Sequence, residues 1–246
     1  MRGRERTNVT EPEGNVFQNA GGNAKAAPES TLLQAAREAV RAGRSPRANA
    51  DMRIPPRYRG KTLWGFSFDN EAISKKAERA KEALLDGGSL FLTGAPGCGK
   101  THLATALMCE WCAANLAESG GVPHHAKGPP LFVPAVELLA GIKRAWDEGG
   151  AEHAVMERLF RTPVLVIDDL GAERASDWSR QVFYSVIDRR YREGSQVIIT
   201  SNLDLERLDR SLDGRIASRL CEMGPVIDMG RADWRAEARR RAASGV

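Results

Sequence analysis

The chain holds 246 residues, 42% of them hydrophobic and 28% charged, with a formal net charge of +4, enough apolar material for one sizeable core with further segments attached. No apolar run approaches the roughly 20 residues that span a bilayer, and Met1-Arg2-Gly3-Arg4-Glu5-Arg6 leads into no apolar leader, so the sequence predicts a soluble, cytoplasmic protein with no membrane partner. The charge is uneven, with eleven Lys and Arg against six acids in residues 1–60; this front segment either meets a polyanion or an acidic partner surface or is a solvated tail.

Residues 1–29 are rich in Gly, Asn, Glu and Ala, too poor in large apolar groups to offset the entropy of ordering, and are predicted to be flexible. Thr31-Leu32-Leu33-Gln34 has the spacing of a capping box and opens a short helix to about Ala42, with Leu32, Leu33, Ala36 and Val40 on one face. That helix is either a docking element for a partner or a strut on the main domain. Residues 43–53 read as a polar linker, which makes 1–53 a basic N-terminal segment, and a main domain runs from Ile54 to about residue 230. There, apolar runs alternate with helical patterns, the mark of an α/β fold with a largely parallel sheet. Strands are predicted at Ser89 to Thr93, Leu131 to Val133, Val164 to Asp168, Gln196 to Thr200 and Val226 to Met229. Helices are predicted near 71–85, 100–117, 135–147, 151–161, 176–192 and 213–221, and 231–246 leaves room for about one more. Of the four cysteines, Cys109 and Cys112 have the spacing of half a zinc site, but no second pair accompanies them and a helix makes them core fillers.

Gly94-Ala95-Pro96-Gly97-Cys98-Gly99-Lys100-Thr101 matches G-x-x-x-x-G-K-S/T between the apolar strand Leu90-Phe91-Leu92 and a helical run. The glycines let backbone N–H groups converge on phosphate and the helix start adds its partial positive charge. Lys100 reaches the outer phosphates and the Thr101 hydroxyl binds magnesium. Val164-Leu165-Val166-Ile167-Asp168-Asp169 is an apolar strand ending in two acids. It delivers Asp168 to the magnesium shell and Asp169 to a water at the mouth of the loop. Where Asp169 stands many phosphate-loop ATPases carry Glu, and the shorter carboxylate predicts slow hydrolysis. Val197-Ile198-Ile199-Thr200-Ser201-Asn202 is a further strand with a polar tip; Asn202 either bridges water and the terminal phosphate or forms a turn. Arg189, Arg190 and Arg192 suggest nucleic acid, but their place at a helix C-terminus explains them as well.

Taken together, Ile54-Pro55-Pro56-Arg57-Tyr58-Arg59, the phosphate loop with His102, Ile167-Asp168-Asp169-Leu170-Gly171, Thr200-Ser201-Asn202-Leu203, Arg215-x-x-Ser218-Arg219-Leu220 and Asp233-Trp234-Arg235 resemble the AAA+ ATPases of the DnaC and DnaI type. These are loaders of the replicative DNA helicase, related to the IstB transposition helpers and to the initiator DnaA. The resemblance covers about residues 54–236. It implies an AAA+ phosphate-loop fold with a five-stranded parallel sheet and a reduced C-terminal lid, using ATP and Mg2+. By the same resemblance, Asn202 is the sensor of the terminal phosphate, Arg235 the second sensor, and Arg219 an arginine finger that acts in a neighbouring subunit and so requires self-association. The family also places two helices between the second strand and the Asp168 strand as an insertion used on single-stranded DNA, and residues 135–161 have room for them. In the first of these, Ala135, Val136, Leu138, Leu139, Ile142 and Trp146 are read as the apolar face, leaving Lys143 and Arg144 exposed either for DNA or for solvent.

The leading expectation is an ATP-dependent loader that binds the replicative hexameric DNA helicase through its N-terminal segment and single-stranded DNA through its AAA+ domain. An IstB-like transposition helper is the nearest alternative. A non-hydrolysing ATP-binding adaptor is a third, and Asn202 followed by the paired arginines argues against a small-molecule kinase.

Overall fold

The computed structural model describes residue 40 and residues 46–63, 71–115, 129–173 and 175–243. Its strands are β1 (Leu90–Thr93), β2 (Leu131–Pro134), β3 (Val164–Asp168), β4 (Gln196–Ser201) and β5 (Val226–Asp228). They form one sheet in the order β2-β3-β4-β1-β5 with every pair parallel, the five-stranded sheet expected from the apolar runs. The α-helices among the described residues are α1 (Pro46–Asp51), α2 (Glu71–Leu85), α3 (Lys100–Asn115), α4 (Ala135–Asp147), α5 (Glu152–Arg161), α6 (Asp177–Arg192), α7 (Leu205–Ser211), α8 (Gly214–Met223) and α9 (Trp234–Ala243), and Pro56–Tyr58 form a short 3-10 helix.

Strand side chains alternate between the two faces, and each face has its own core. Leu90, Leu92, Val164, Val166 and Ile198 pack with Ile73, Ala77 and Leu84 of α2 and Leu103 and Leu107 of α3. Phe91, Leu165, Ile167, Val197 and Ile199 pack on the other face with Leu138, Ile142, Leu159, Phe183, Ile187, Leu208 and Ile216. Each such large apolar side chain taken from water contributes about 1.5–3 kcal/mol, which is why a sheet covered on both faces reads as unbroken apolar strands. Helix α3 is buried on nearly all sides. Cys109 and Cys112 are therefore core thiols; burial pushes Cys109 up to about 12 and Cys112 well above its usual value.

Three expectations are corrected. The polar linker at 43–53 is helical from Pro46 to Asp51. Met52 and Ile54 are each 1% exposed, and the Met52 carbonyl accepts from the Phe132 amide at 2.9 Å, so this stretch is fastened to the edge strand β2. One methionine and one isoleucine are too short a signal for periodicity, and only tertiary contact orders them. Helix α7 was not anticipated because its seven residues bury only Leu208; Asp204 caps it by accepting from the Arg207 amide. Finally, Val136 and Trp146 are 53% and 63% exposed, so neither belongs to the buried face of α4, which consists of Ala135, Leu138, Leu139, Ile142 and Ala145. Val136 lies one helical step beyond that stripe. Trp146 occupies the last turn, just before the chain leaves through Gly149 and Gly150, whose amides bond the Trp146 carbonyl.

The arginine cluster at the end of α6 is structural. Arg190 is fully buried and donates to the carbonyls of Leu159, Phe160, Thr162, Pro163 and Gln196, while Arg189 pairs with Glu157 and Glu193 and Arg192 with Asp188. Of the helix expected at 31–42 only Val40 lies inside the described residues, where it is helical and 4% exposed. Residues 1–29 lie outside them.

Candidate functional site

The strand order decides the site. Strand β4 lies between β1 and β3, so the tip of β4 enters between the phosphate loop that follows β1 and the acids that end β3. Ligands of open α/β sheets bind at the carboxyl ends of the strands, and a cleft of about 590 Å³ opens there. It is lined by Pro96, Gly97, Gly99, Lys100, Thr101 and His102 of the loop and α3, by Asp168, Asp169, Thr200 and Asn202 of the strand ends, and by Arg235.

The loop turns through positive φ at Gly94, Gly97 and Gly99. At Gly97 a side chain would be strained, because φ is 85° and a Cβ would run into the Asp233 carboxylate. Ala95 donates its amide to the Gly230 carbonyl at 2.9 Å, and the Gly97 carbonyl accepts from the Trp234 amide at 3.2 Å, so the start of α9 grips the loop. The Cys98 side chain is fully buried beneath it, which leaves Cys98 its backbone to offer.

Lys100 is 7% exposed and donates to the carbonyls of Gly94 and Ala95 at 2.7 and 2.9 Å and to Asn202 Oδ1 at 2.8 Å. The other end of the Asn202 amide donates to Asp169 Oδ1 at 2.6 Å. A continuous chain of charge-assisted hydrogen bonds thus runs from the loop lysine through the tip of β4 to the second acid of β3. Asp169 sits at φ 57°, outside the ordinary range for a side-chain-bearing residue, and is held there because its amide donates to Thr200 Oγ1 at 2.9 Å. Strain kept at a strand end by surrounding bonds is characteristic of functional sites.

Asp168 accepts from Thr200 Oγ1 at 2.7 Å. Burial raises its pKa, opposed by hydrogen bonds from the hydroxyls of Thr200 and Thr101 and raised further by the Asp169 charge. A single half-buried carboxylate beside a threonine hydroxyl fits magnesium, which is held by one or two carboxylates and completes its octahedron with water and nucleotide phosphates. His102 lines the same cleft with Nε2 3.0 Å from the Thr62 carbonyl, and burial lowers its pKa.

Arg57, Tyr58, Lys61, Ile73 and Trp234 also line the cleft and had no role in the sequence reading. Arg57, Tyr58 and Trp234 stand inside two of the motifs quoted above, so the pattern marked the segments without showing where they fold. Tyr58 and Trp234 pack against the core, and with Ile73 they form the apolar part of the cleft.

Arg219 and the pair Lys143 and Arg144 are not among the residues lining the cleft. Arg219 is on α8, ion-paired to Asp188 at 2.7 Å and close to the rings of Tyr184 and Tyr191. Arg215 lies over Tyr184 at 4.2 Å and pairs with Asp213 at 2.8 Å; that hydrogen-bonded partner holds Asp213 down at about 2. Lys143 and Arg144 are exposed on α4.

With this geometry in view, the model of a family described as "IstB-like ATP binding protein" matches residues 30–240. The chain belongs to the IstB-like ATP-binding protein family. Among curated relatives, the phage-like element PBSX protein XkdC of Bacillus subtilis is 32% identical over 62% of this chain and 57% of its own length. The replicative helicase loader DnaC of Escherichia coli is 24% identical over 61% of this chain and 56% of its own length. The chain thus spans a little over half of these two relatives. Among solved structures, that of the DnaC helicase loader superposes with a TM-score of 0.59 and 28% identity, covering 71% of this chain and 99% of that one. Replication initiator DnaA bound to AMPPCP and single-stranded DNA superposes with a TM-score of 0.53 at 22% identity over 71% of this chain and 50% of that one, a likeness of fold. Within the family, the α/β architecture is the AAA+ fold of DnaC and DnaA.

Proposed function

We propose that this IstB-like protein is a magnesium-dependent ATPase that loads a replicative hexameric DNA helicase onto single-stranded DNA. The observation that carries the enzymatic part is the bonded path Lys100–Asn202–Asp169 beside the Thr101 and Asp168 pair. The loop amides and Lys100 hold the β and γ phosphates, and Tyr58, Ile73 and Trp234 supply the apolar surface a base needs. Thr101 and Asp168 would hold magnesium, which would supply charge neutralisation at the phosphates. Asn202 orients the attacking water against the terminal phosphate, and Asp169 accepts its proton. Arg235 approaches the phosphates of its own subunit, while Arg219, off the cleft, acts in a neighbour's site.

The loader reading draws support from the likeness to the DnaC helicase loader, which takes in almost all of that solved chain. The nucleic-acid part draws support from Trp146, 63% exposed on the same helix as Lys143 and Arg144: an exposed ring offers a stacking face and the two cations offer phosphate contacts. The match to an IstB-like ATP binding protein family keeps a second reading in play, the transposition helper that the sequence resemblance offers as the nearest alternative.

One set of measurements tests these readings. ATP turnover is measured with and without single-stranded DNA, and a hexameric helicase and a transposase are each offered as bait. The loader reading expects ATP-dependent capture of the helicase. Capture of the transposase alone refutes it in favour of the second reading. Lys100→Ala should lose ATP binding in a folded protein, and Arg219→Ala should bind ATP but not hydrolyse it. A mixture of the two variants should recover part of the activity that each lacks, because one keeps an intact site and the other an intact finger. No recovery at any ratio, with both variants folded and able to associate, overturns action in trans.

A further inference from the structure

Arg219 does not project from its own subunit. Its Nη2 donates to Asp188 Oδ1 at 2.7 Å and to the Tyr184 hydroxyl at 3.3 Å, and its Nη1 donates to the Arg215 carbonyl at 3.1 Å. The guanidinium carbon lies 5.1 and 5.6 Å from the ring centroids of Tyr184 and Tyr191, and the side chain is only 22% exposed. Yet Nε is buried with no hydrogen-bond partner among the described residues, so the arrangement leaves one donor unsatisfied, a cost that a different seating of the same guanidinium would remove.

We propose that Asp188 is a latch: it holds Arg219 on its own subunit, and this ion pair must open before the arginine reaches the terminal phosphate of ATP on a second copy of the chain. The inference rests on the reading of Arg219 as a residue acting in trans. A carboxylate and a phosphate compete for one guanidinium, and both bind it with charge-assisted hydrogen bonds. If only the open state can engage a neighbour, the apparent affinity between subunits is reduced by the fraction of chains in which the latch is open. Asp188 is well placed for the task. Its carboxylate is 16% exposed, and its other oxygen is held by Arg192 Nε at 2.9 Å, so it stays fixed when Arg219 leaves. Tyr184 adds a second hold through its hydroxyl, while its ring also carries Arg215 at 4.2 Å. Nucleotide alone, on this view, does not assemble the protein at low concentration; assembly waits until enough neighbours offer phosphate to outcompete Asp188.

The test uses the full chain at saturating ATP and magnesium, with assembly followed by sedimentation velocity and hydrolysis per chain followed across protein concentration. Asp188→Asn keeps the size and removes the charge, and is expected to lower the concentration of half-maximal assembly by about three- to ten-fold. Tyr184→Phe removes the second hold and should shift it the same way by about two-fold; it decides alone if Asp188→Asn does not fold. Arg192→Ala loosens Asp188 without removing its charge or its pair with Arg219, and should shift the concentration far less than Asp188→Asn does. The latch is overturned if Asp188→Asn and Tyr184→Phe both assemble at or above the wild-type concentration while Arg219→Ala loses hydrolysis, or if Arg192→Ala shifts as far as Asp188→Asn. If Arg219→Ala hydrolyses ATP normally at every concentration, the trans reading itself has failed and the latch with it.

Discussion

Asp168 pays for its position. Burial raises its pKa above the ordinary carboxylate value, more than the Thr200 and Thr101 hydroxyls and Lys100 lower it. With the folded pKa above the unfolded one, ionisation costs stability at every pH above the folded value, and the cost disappears as pH falls below the unfolded one. At neutral pH the nucleotide-free protein therefore carries a charge that its fold disfavours, and on the proposed function magnesium with ATP would relieve it. Asp168→Asn should raise the melting temperature of the nucleotide-free protein at neutral pH while lowering magnesium-dependent hydrolysis by about a hundred-fold or more. A lower melting temperature, measured by calorimetry, would mean that the bond from Thr200 outweighs burial. Asn202 and Asp169 are bound differently: they share a hydrogen bond at 2.6 Å, so removing either takes one bond from its partner, while Lys100 still holds Asn202 and Thr200 still accepts from the Asp169 amide.

Among the elements, α6 ties the molecule together through a single buried cation. Arg190 joins the end of α5, the start of β3 and the start of β4 by donating to five carbonyl oxygens. Burial lowers its pKa to about 10, which still leaves it charged at neutral pH. Arg190→Met has a similar length but removes every donor, and should destabilise the protein by about 3 kcal/mol or more, since buried carbonyls lose their partners together. Urea unfolding measures this, and a loss below about 1 kcal/mol would mean that water replaces the guanidinium. Helix α4 contributes in another way: by burying Leu138, Leu139 and Ile142 it presents Lys143, Arg144 and Trp146 to the outside, on a different element from those that line the nucleotide cleft.

At the scale of the whole molecule, the basic N-terminal segment and the nucleotide fold are not separated at residue 50. Val40 is in the same core as Met52, Ile54 and α3, and α1 reaches the edge of the sheet through the bond from the Phe132 amide to the Met52 carbonyl. Deleting residues 1–50 should lower the melting temperature as well as any helicase capture, whereas deleting residues 1–30, which keeps Val40 and α1, should lower the melting temperature less. Calorimetry on both truncations checks the melting and a pull-down the capture. Equal melting of the two would show that Val40 and α1 carry no stability.

The sequence by itself determined the parts of this protein whose signals are contiguous. The phosphate loop between an apolar strand and a helix is one such run, and the five apolar strands are others, because a strand buried on both faces must be apolar throughout. The acids ending β3 and the polar tip of β4 were legible for the same reason. Tertiary structure alone decided which of these meet. The order β2-β3-β4-β1-β5 puts Asn202 between Lys100 and Asp169, and no local pattern states a strand order. Likewise Tyr58, Ile73 and Trp234 come from three separated segments to one apolar wall. Trp146, which the helical period assigned to the core, is left exposed at the end of its helix, because periodicity gives the direction of a side chain but not whether anything lies there to cover it. The Asp188–Arg219 pair joins α6 to α8 across 31 residues of sequence, and a contact of that kind exists only once the chain has folded.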